Sequence, residues 1–173
     1  MPHKSLIERG YKGKIYQTHG AASRDLLRLG GKDVEGSFVV AGLAILPEEL
    51  PANHAAKKLA TDFVARYEKQ FGEGTRNQFA AHGYDVALVL DRGVAMALKK
   101  AKPGTPEFRV ALKEALESGA GIPLTQGVVK YTPTDHFGLG DEKSVSVEVR
   151  LPNGKKILKE SVDADRLLTV EEP

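Results

Sequence analysis

From Asn77 to about Lys100 the chain reads as one helix with almost no polar side along its middle. Ala80, Ala81, Val86, Ala87, Leu88, Val89, Leu90, Val94, Ala95, Met96, Ala97 and Leu98 are spread around its circumference. A helix apolar nearly all round belongs in an interior, so the spacing predicts a buried helix that needs cover on several sides. Lys99, Lys100 and Lys102 lie at its C-terminal end, where the helix dipole favours cations, and Pro103-Gly104 breaks it. Thr105 then caps a further helix with Pro106 at its first position. Phe108, Ala111, Leu112, Ala115 and Leu116 form the stripe of that helix, and Gly119 and Gly121 close it.

The chain has 173 residues, 41% of them hydrophobic and 28% charged. That composition is ordinary for a globular protein, and the length suits about one domain able to bury roughly 70% of its unfolded surface. The net charge is +2, from 25 basic and 23 acidic residues. Such a balance argues against a nucleic-acid partner held by phosphate neutralisation. Cysteine is absent, which excludes disulfides, thiol catalysis and Cys-ligated metals. No window approaches the run of about 18 apolar residues that a membrane span needs. Met1-Pro2-His3-Lys4-Ser5 carries charge with no apolar stretch behind it, so no signal peptide is visible.

Upstream the pattern is α/β. Lys14 to Thr18 reads as a strand and His19 to Ala22 as a loop. Ser23 is placed to cap a short helix from Arg24 to Leu29, with Gly30-Gly31 as its stop. Ser37 to Ala41 is a second strand, apolar on both faces, as in a covered parallel sheet. Strand, loop, helix and strand make a right-handed crossover. Pro47 to Pro51 reads as a linker. Asn53 is placed to cap a long helix from His54 to Phe71, with Ala56, Leu59, Ala60, Phe63, Val64, Tyr67 and Phe71 at a 3.6-residue period. The remainder is β: a strand from Gly127 to Tyr131, a turn through Asp135 and His136, and an alternating strand from Ser144 to Leu151. The Asn153-Gly154 turn leads to a return strand from Lys155 to Lys159. The polar tail from Ser161 reads as frayed.

Motifs for covalent chemistry are missing: no Gly-x-Ser-x-Gly elbow, no Walker loop, no His-Glu-x-x-His and no dinucleotide fingerprint. His82 and Asp85 share a helix three residues apart and could hold a metal; a plain surface pair is the commoner meaning of that spacing. Asp135, His136 and Asp141 lack calcium-loop spacing and read as a turn. The most informative local feature runs from Gln17 to Ser23. It joins the carboxyl end of a strand to a helix N-terminus, where ligands of open α/β sheets bind. The unpaired N–H groups there suit a carboxylate, and Gly20 permits close approach. An ordinary βα loop fits the same residues.

The run Arg9-Gly10-Tyr11-Lys12-Gly13-Lys14-Ile15-Tyr16-Gln17-Thr18-His19-Gly20 resembles the second lobe of type I periplasmic substrate-binding proteins. These are the receptors of ABC transporters for branched-chain amino acids, the Leu/Ile/Val-binding family. Val34-Glu35-Gly36, Ala81-His82-Gly83-Tyr84-Asp85 and Lys102-Pro103-Gly104-Thr105-Pro106-Glu107-Phe108-Arg109 extend the resemblance. So do the Gly127 strand, the Asp135-His136 turn and the terminal hairpin, in order across about residues 5 to 160.

The resemblance implies an α/β fold of which this chain is the C-terminal half: part of a parallel sheet with flanking helices, plus a C-terminal β-hairpin. It implies a second-lobe βαβ segment over 1–46, a helical segment of the first lobe over 47–120, and return strands, hairpin and tail over 121–173. The stretches 47–51 and 119–123 would be hinge crossings. Ligand contacts would be Thr18, His19 and Gly20 from the second lobe and His82 or Tyr84 from the first; Tyr84 also reads as a packing residue. In amino-acid receptors of the family an acid stands where this chain has His19. That substitution makes a carboxylate without an amine a plausible ligand beside the usual amino acid. The family is periplasmic, works without catalysis or cofactor, and delivers its solute to a membrane permease.

Two consequences follow from a half-receptor. The 173 residues alone should bind ligand weakly or not at all, and uncovered faces should drive a homodimer or swapped assembly. Two rival classes remain. One is a ligand-sensing domain of a regulator, since the same fold serves sensors. The other is a small α/β enzyme with His19 or His82 as base, for which the sequence supplies no nucleophile with a partnered base.

Overall fold

The computed structural model describes residues 2–139, 145–148, 157–163 and 166–171. The chain opens with α1 (Pro2–Glu8), which the sequence did not signal, followed by β1 (Tyr16–Gln17) and a 3-10 turn at His19–Ala21. Next come α2 (Arg24–Gly30) and β2 (Phe38–Ala41). Three long helices follow: α3 (Lys57–Phe71), α4 (Gln78–Ala97) and α5 (Pro106–Leu116). The described chain ends in β3 (Ile122–Leu124), β4 (Gly127–Val129), β5 (Val145–Glu148), β6 (Ile157–Asp163) and β7 (Arg166–Glu171).

The expected crossover is present: β1 and β2 pair in parallel, Tyr16 with Phe38 and Gln17 with Val39. The parallel part of the sheet stops there. Its order is β1-β2-β5-β6-β7, and β5 joins β2 antiparallel, so the sheet is mixed. Nor does the tail fray. β6 and β7 pair over Ile157–Glu171 through Asp163–Arg166, which satisfies backbone groups that polar composition alone says nothing about. The Asn153-Gly154 turn, and the Val149 and Leu151 positions of the alternating strand, lie outside the described residues.

Three clusters form the core. Ala22, Leu26, Val34, Val39, Ala41, Leu43, Leu50 and Ala56 pack around β2 and α2. Ala44, Ala60, Phe63, Val64 and Ala81 fill the seam between α3 and α4, with Tyr67 and Tyr84 packed against them. Ile122, Leu124 and Val129 bring the β3–β4 hairpin onto Leu88 and Val89 of α4. Burial along β2 alternates, with Val39 and Ala41 inside. On its other face Phe38 stacks with Tyr16 at 5.0 Å, although Tyr16 is largely exposed. At β2 the sheet is therefore well covered on one face only.

Helix ends bear out the expected Thr105 cap, add one at Asn77 and correct others. Asn77 and Thr105 cap α4 and α5 by accepting from Ala80 N and Phe108 N. Ser23 stands at the N-cap of α2, but its side chain makes no capping bond; the chain enters from the preceding 3-10 turn. Asn53 caps nothing. His54 takes over the approach to α3, with Nδ1 accepting from Ala56 N and its carbonyl from Lys57 N, so α3 starts at Lys57. The stretch 47–51 is folded, with a 3-10 turn at Pro47–Glu49 and Leu50 buried. Lys57 Nζ holds it by donating to the carbonyls of Glu48 and Leu50.

The expected all-round burial of α4 is not met. Gln78, Ala81, Asp85, Gly93 and Ala97 are buried, whereas Phe79, Val86 and Leu90 are exposed on one stripe. No described helix is long and apolar enough to cross a membrane.

Candidate functional site

Parallel pairing puts the carboxyl ends of β1 and β2 side by side. The His19–Ala21 turn leaves β1 there and packs against β2. Thr18, His19 and Gly20 are all exposed on it. Around Gly20 there is room: an added Cβ would meet only Thr18 Oγ1, at 3.7 Å. The loop is thus open at the end of the sheet where ligands of such folds bind.

Gly42 follows β2 directly, and there the helical half of the chain meets the sheet. Its backbone N–H donates to Gln78 Oε1 at 2.6 Å. Gln78, one residue into α4 and buried, also contacts His82 Nε2 at 2.6 Å through its Nε2. Gln126, in the two-residue turn between β3 and β4, crowds Gly42 from another side. A Cβ at position 42 would collide with Gln126 Oε1 and with Gln78 Nε2, so only glycine fits this convergence without displacing both amides. Nothing in the sequence reading singled out Gly42, Gln78 or Gln126. The spacing of Gln78 and His82, four residues apart and so one above the other on a helix, was the available signal.

Asp85 anchors the hairpin to α4. Its carboxylate accepts from Thr125 N and Thr125 Oγ1, both at 2.8 Å, and Gln126 Nε2 donates to Thr125 Oγ1. Burial raises the Asp85 carboxyl above its ordinary value; the two Thr125 bonds oppose that rise without cancelling it. A carboxylate engaged in this way is spent on structure, and His82 and Asp85 do not form a metal pair. Among the described residues no three potential metal ligands cluster.

His82 is exposed and lines a groove of about 280 Å³ between α4 and the hairpin. Val86, Val89, Leu124, Val129 and Tyr131 supply its apolar walls. Tyr84 goes elsewhere. Its ring lies 5.3 Å from Phe63, with the Arg66 guanidinium 5.9 Å from its centroid, in the α3–α4 seam. The Thr18–Gly20 turn thus follows β1 beside β2, and His82 is tied through Gln78 to Gly42 at the end of β2. Among the described residues it shows no contact between His19 and His82. In the turn near Asp135, the carboxylate accepts from Phe137 N, and His136 meets Glu117 at the end of α5, which ties the turn to that helix.

These features match a known architecture. The periplasmic binding protein family matches residues 3–152, and the chain belongs to that family, in its type I form. Its members are periplasmic or extracellular ligand-binding receptors. The chain is similar to Rp1789 of Rhodopseudomonas palustris strain CGA009, with 45% identity and a TM-score of 0.84 over 91% of this chain and 43% of that one. An extracellular ligand-binding receptor from Rhodopseudomonas palustris gives 46% identity and a TM-score of 0.83 over the same shares. The chain thus spans 43% of the length of these two relatives. The fold extends to a leucine binding protein, LivK, of Thermotoga maritima, at 21% identity and a TM-score of 0.63 over 96% of this chain and 40% of that one. It extends also to a putative branched-chain amino acid ABC transporter from Rhodospirillum rubrum, at 22% identity and a TM-score of 0.54 over 86% and 38%. No curated protein matches the sequence.

Proposed function

We propose that this chain contributes one part of a solute receptor for an ABC-type uptake system, in which a small carboxylate or amino acid is captured where the carboxyl ends of β1 and β2 face the start of α4. The observation that carries the reading is the convergence at Gly42. The Thr18–Gly20 turn leaves β1 beside the carboxyl end of β2, and Gly42, which follows β2, holds Gln78 and through it His82. The names of the leucine binding protein and of the branched-chain amino acid transporter favour an amino acid or related solute. His19 favours a carboxylate without an amine, because an imidazole serves an ammonium poorly. Capture would proceed by closure of two lobes and need no covalent step. The partner read from this is a permease, and the place the periplasm.

The exposed stripe on α4 favours self-association of the 173-residue chain, as a homodimer or swapped assembly. Light scattering across a dilution series tests this, and a monomer at every concentration opposes it. For ligand capture, nuclear magnetic resonance titrations with benzoate and with leucine are the test. Benzoate should move the signals of Thr18, His19, Gly20 and His82 more than leucine does. Movement confined to other residues would refute the site. Gly20→Ala sharpens the result, since the fold has room for the methyl group: loss of the benzoate response with unchanged stability is expected.

A further inference from the structure

The two amide atoms of Gln78 have fixed roles. Its side chain is only 2% exposed, so water does not stand in for its partners. The Gly42 N–H lies 2.6 Å from one terminal atom, and a backbone N–H only donates, so that atom is the carbonyl oxygen. The other terminal atom is then the amide nitrogen, which donates and has no lone pair to offer. It stands 2.6 Å from His82 Nε2. Two donors cannot share that bond, so His82 Nε2 is the acceptor and carries no hydrogen. A neutral imidazole in this arrangement holds its proton on Nδ1.

Nδ1 makes no hydrogen bond to any described residue, while the ring lines the groove. Asp85, three residues further along the helix, has both oxygens engaged by Thr125 and does not take that proton. We propose that Gln78 is a positioning residue for ligand capture: it holds His82 as the neutral Nδ1–H tautomer, so that the site offers a ligand oxygen an uncharged N–H donor. The ligand role rests on the capture reading above; the tautomer does not. The backbone is part of the device, because the Gly42 N–H is what orients the Gln78 amide. The end of β2 thus determines which ring nitrogen of a helix residue meets the solute.

The test uses the 15N-labelled 173-residue chain and long-range proton–nitrogen spectra of its imidazoles near neutral pH, with His82→Gln to assign the signal. A protonated Nδ1 and an acceptor-type Nε2 are expected. Gln78→Glu keeps an oxygen for the Gly42 N–H but turns the donor facing His82 into an acceptor, so the hydrogen should move to Nε2. An Nε2–H pattern in the unsubstituted chain overturns the inference, as does a pattern unchanged in a folded Gln78→Glu chain. If Gln78→Glu does not fold, the unsubstituted spectrum decides alone. Benzoate titration separates the two claims. A shifted His82 Nδ1–H supports the ligand role. An unmoved His82 with the expected tautomer overturns the ligand role and the capture reading at this residue. The wrong tautomer beside a benzoate response at Thr18–Gly20 overturns only the inference.

Discussion

One side of α4 carries Gln78, Ala81 and Asp85 and is buried against α3 and the β3–β4 hairpin, while α5 covers Gly93 and Ala97 towards the helix end. A stripe through Phe79, Val86 and Leu90, which continues at helical spacing into Gly93 and Ala97, is apolar and exposed until α5 covers it, with Val86 58% exposed. Apolar content therefore does not decide which part of the helix is buried; the presence of a neighbouring surface does. The chain spans 43% of its relatives' length, and among the described residues Phe79, Val86 and Leu90 remain exposed. The buried side shows what supplied contacts look like: interlocked methyls at Gly93 and a satisfied carboxylate at Asp85.

Six substitutions can break or sharpen that contrast. The largest effect is expected for Phe63→Ala, which empties the α3–α4 seam between Tyr67 and Tyr84. A loss of about 3–5 kcal/mol is expected in chemical denaturation. Gly93→Val should cost about 1–3 kcal/mol by overpacking, because its Cβ would lie 2.7 Å from Leu116 Cδ2 and 3.1 Å from Leu112 Cδ1. A cost near zero for either would show that the buried side is loosely packed.

Asp85 gives a pH signature. Its carboxyl is raised above 3.8 by burial, so the folded state binds this proton more readily than the unfolded chain. The stability contributed by Asp85 is then greatest below its unfolded value and is lost as pH rises through the raised folded value. Thermal midpoints of the unsubstituted chain relative to Asp85→Asn should fall across that window. Glu68 should do the reverse. Burial pushes its carboxyl up, but hydrogen bonds and charge from Arg76 prevail and hold it below 4.5. Its contribution is present above the ordinary value and lost as pH falls through the lowered one, a trend that Glu68→Gln should remove. Equal trends at the two sites would contradict the assigned causes.

The smallest stability change is expected on the outer stripe. Val86→Ser with Leu90→Ser should shift stability by no more than about 0.5 kcal/mol each and should reduce self-association in light scattering. A stability loss comparable to that of Phe63→Ala would mean that the stripe is already covered.

Local signals in the sequence were reliable where the cause is local. Thr105 with Pro106 marked the start of α5, and the period from Leu59 to Tyr67 marked α3. Parallel pairing of β1 with β2 followed from the crossover rule. What escaped depended on contacts distant in sequence. Leu50 reads as part of a proline-rich linker until β2 and α2 bury it, and β7 reads as tail until β6 pairs with it. The site divides the same way. Thr18, His19 and Gly20 were visible as a strand-to-helix loop. Gln78 was not, because its importance comes from a backbone N–H 36 residues away.

The most direct test of the account is calorimetric and spectroscopic titration of the 173-residue chain with benzoate and leucine. The account predicts weak binding, short of the micromolar range, with perturbations gathered at Thr18–Gly20, Gly42, Gln78 and His82. Micromolar binding by this chain alone, or a response centred away from the β1–β2 end, would contradict it.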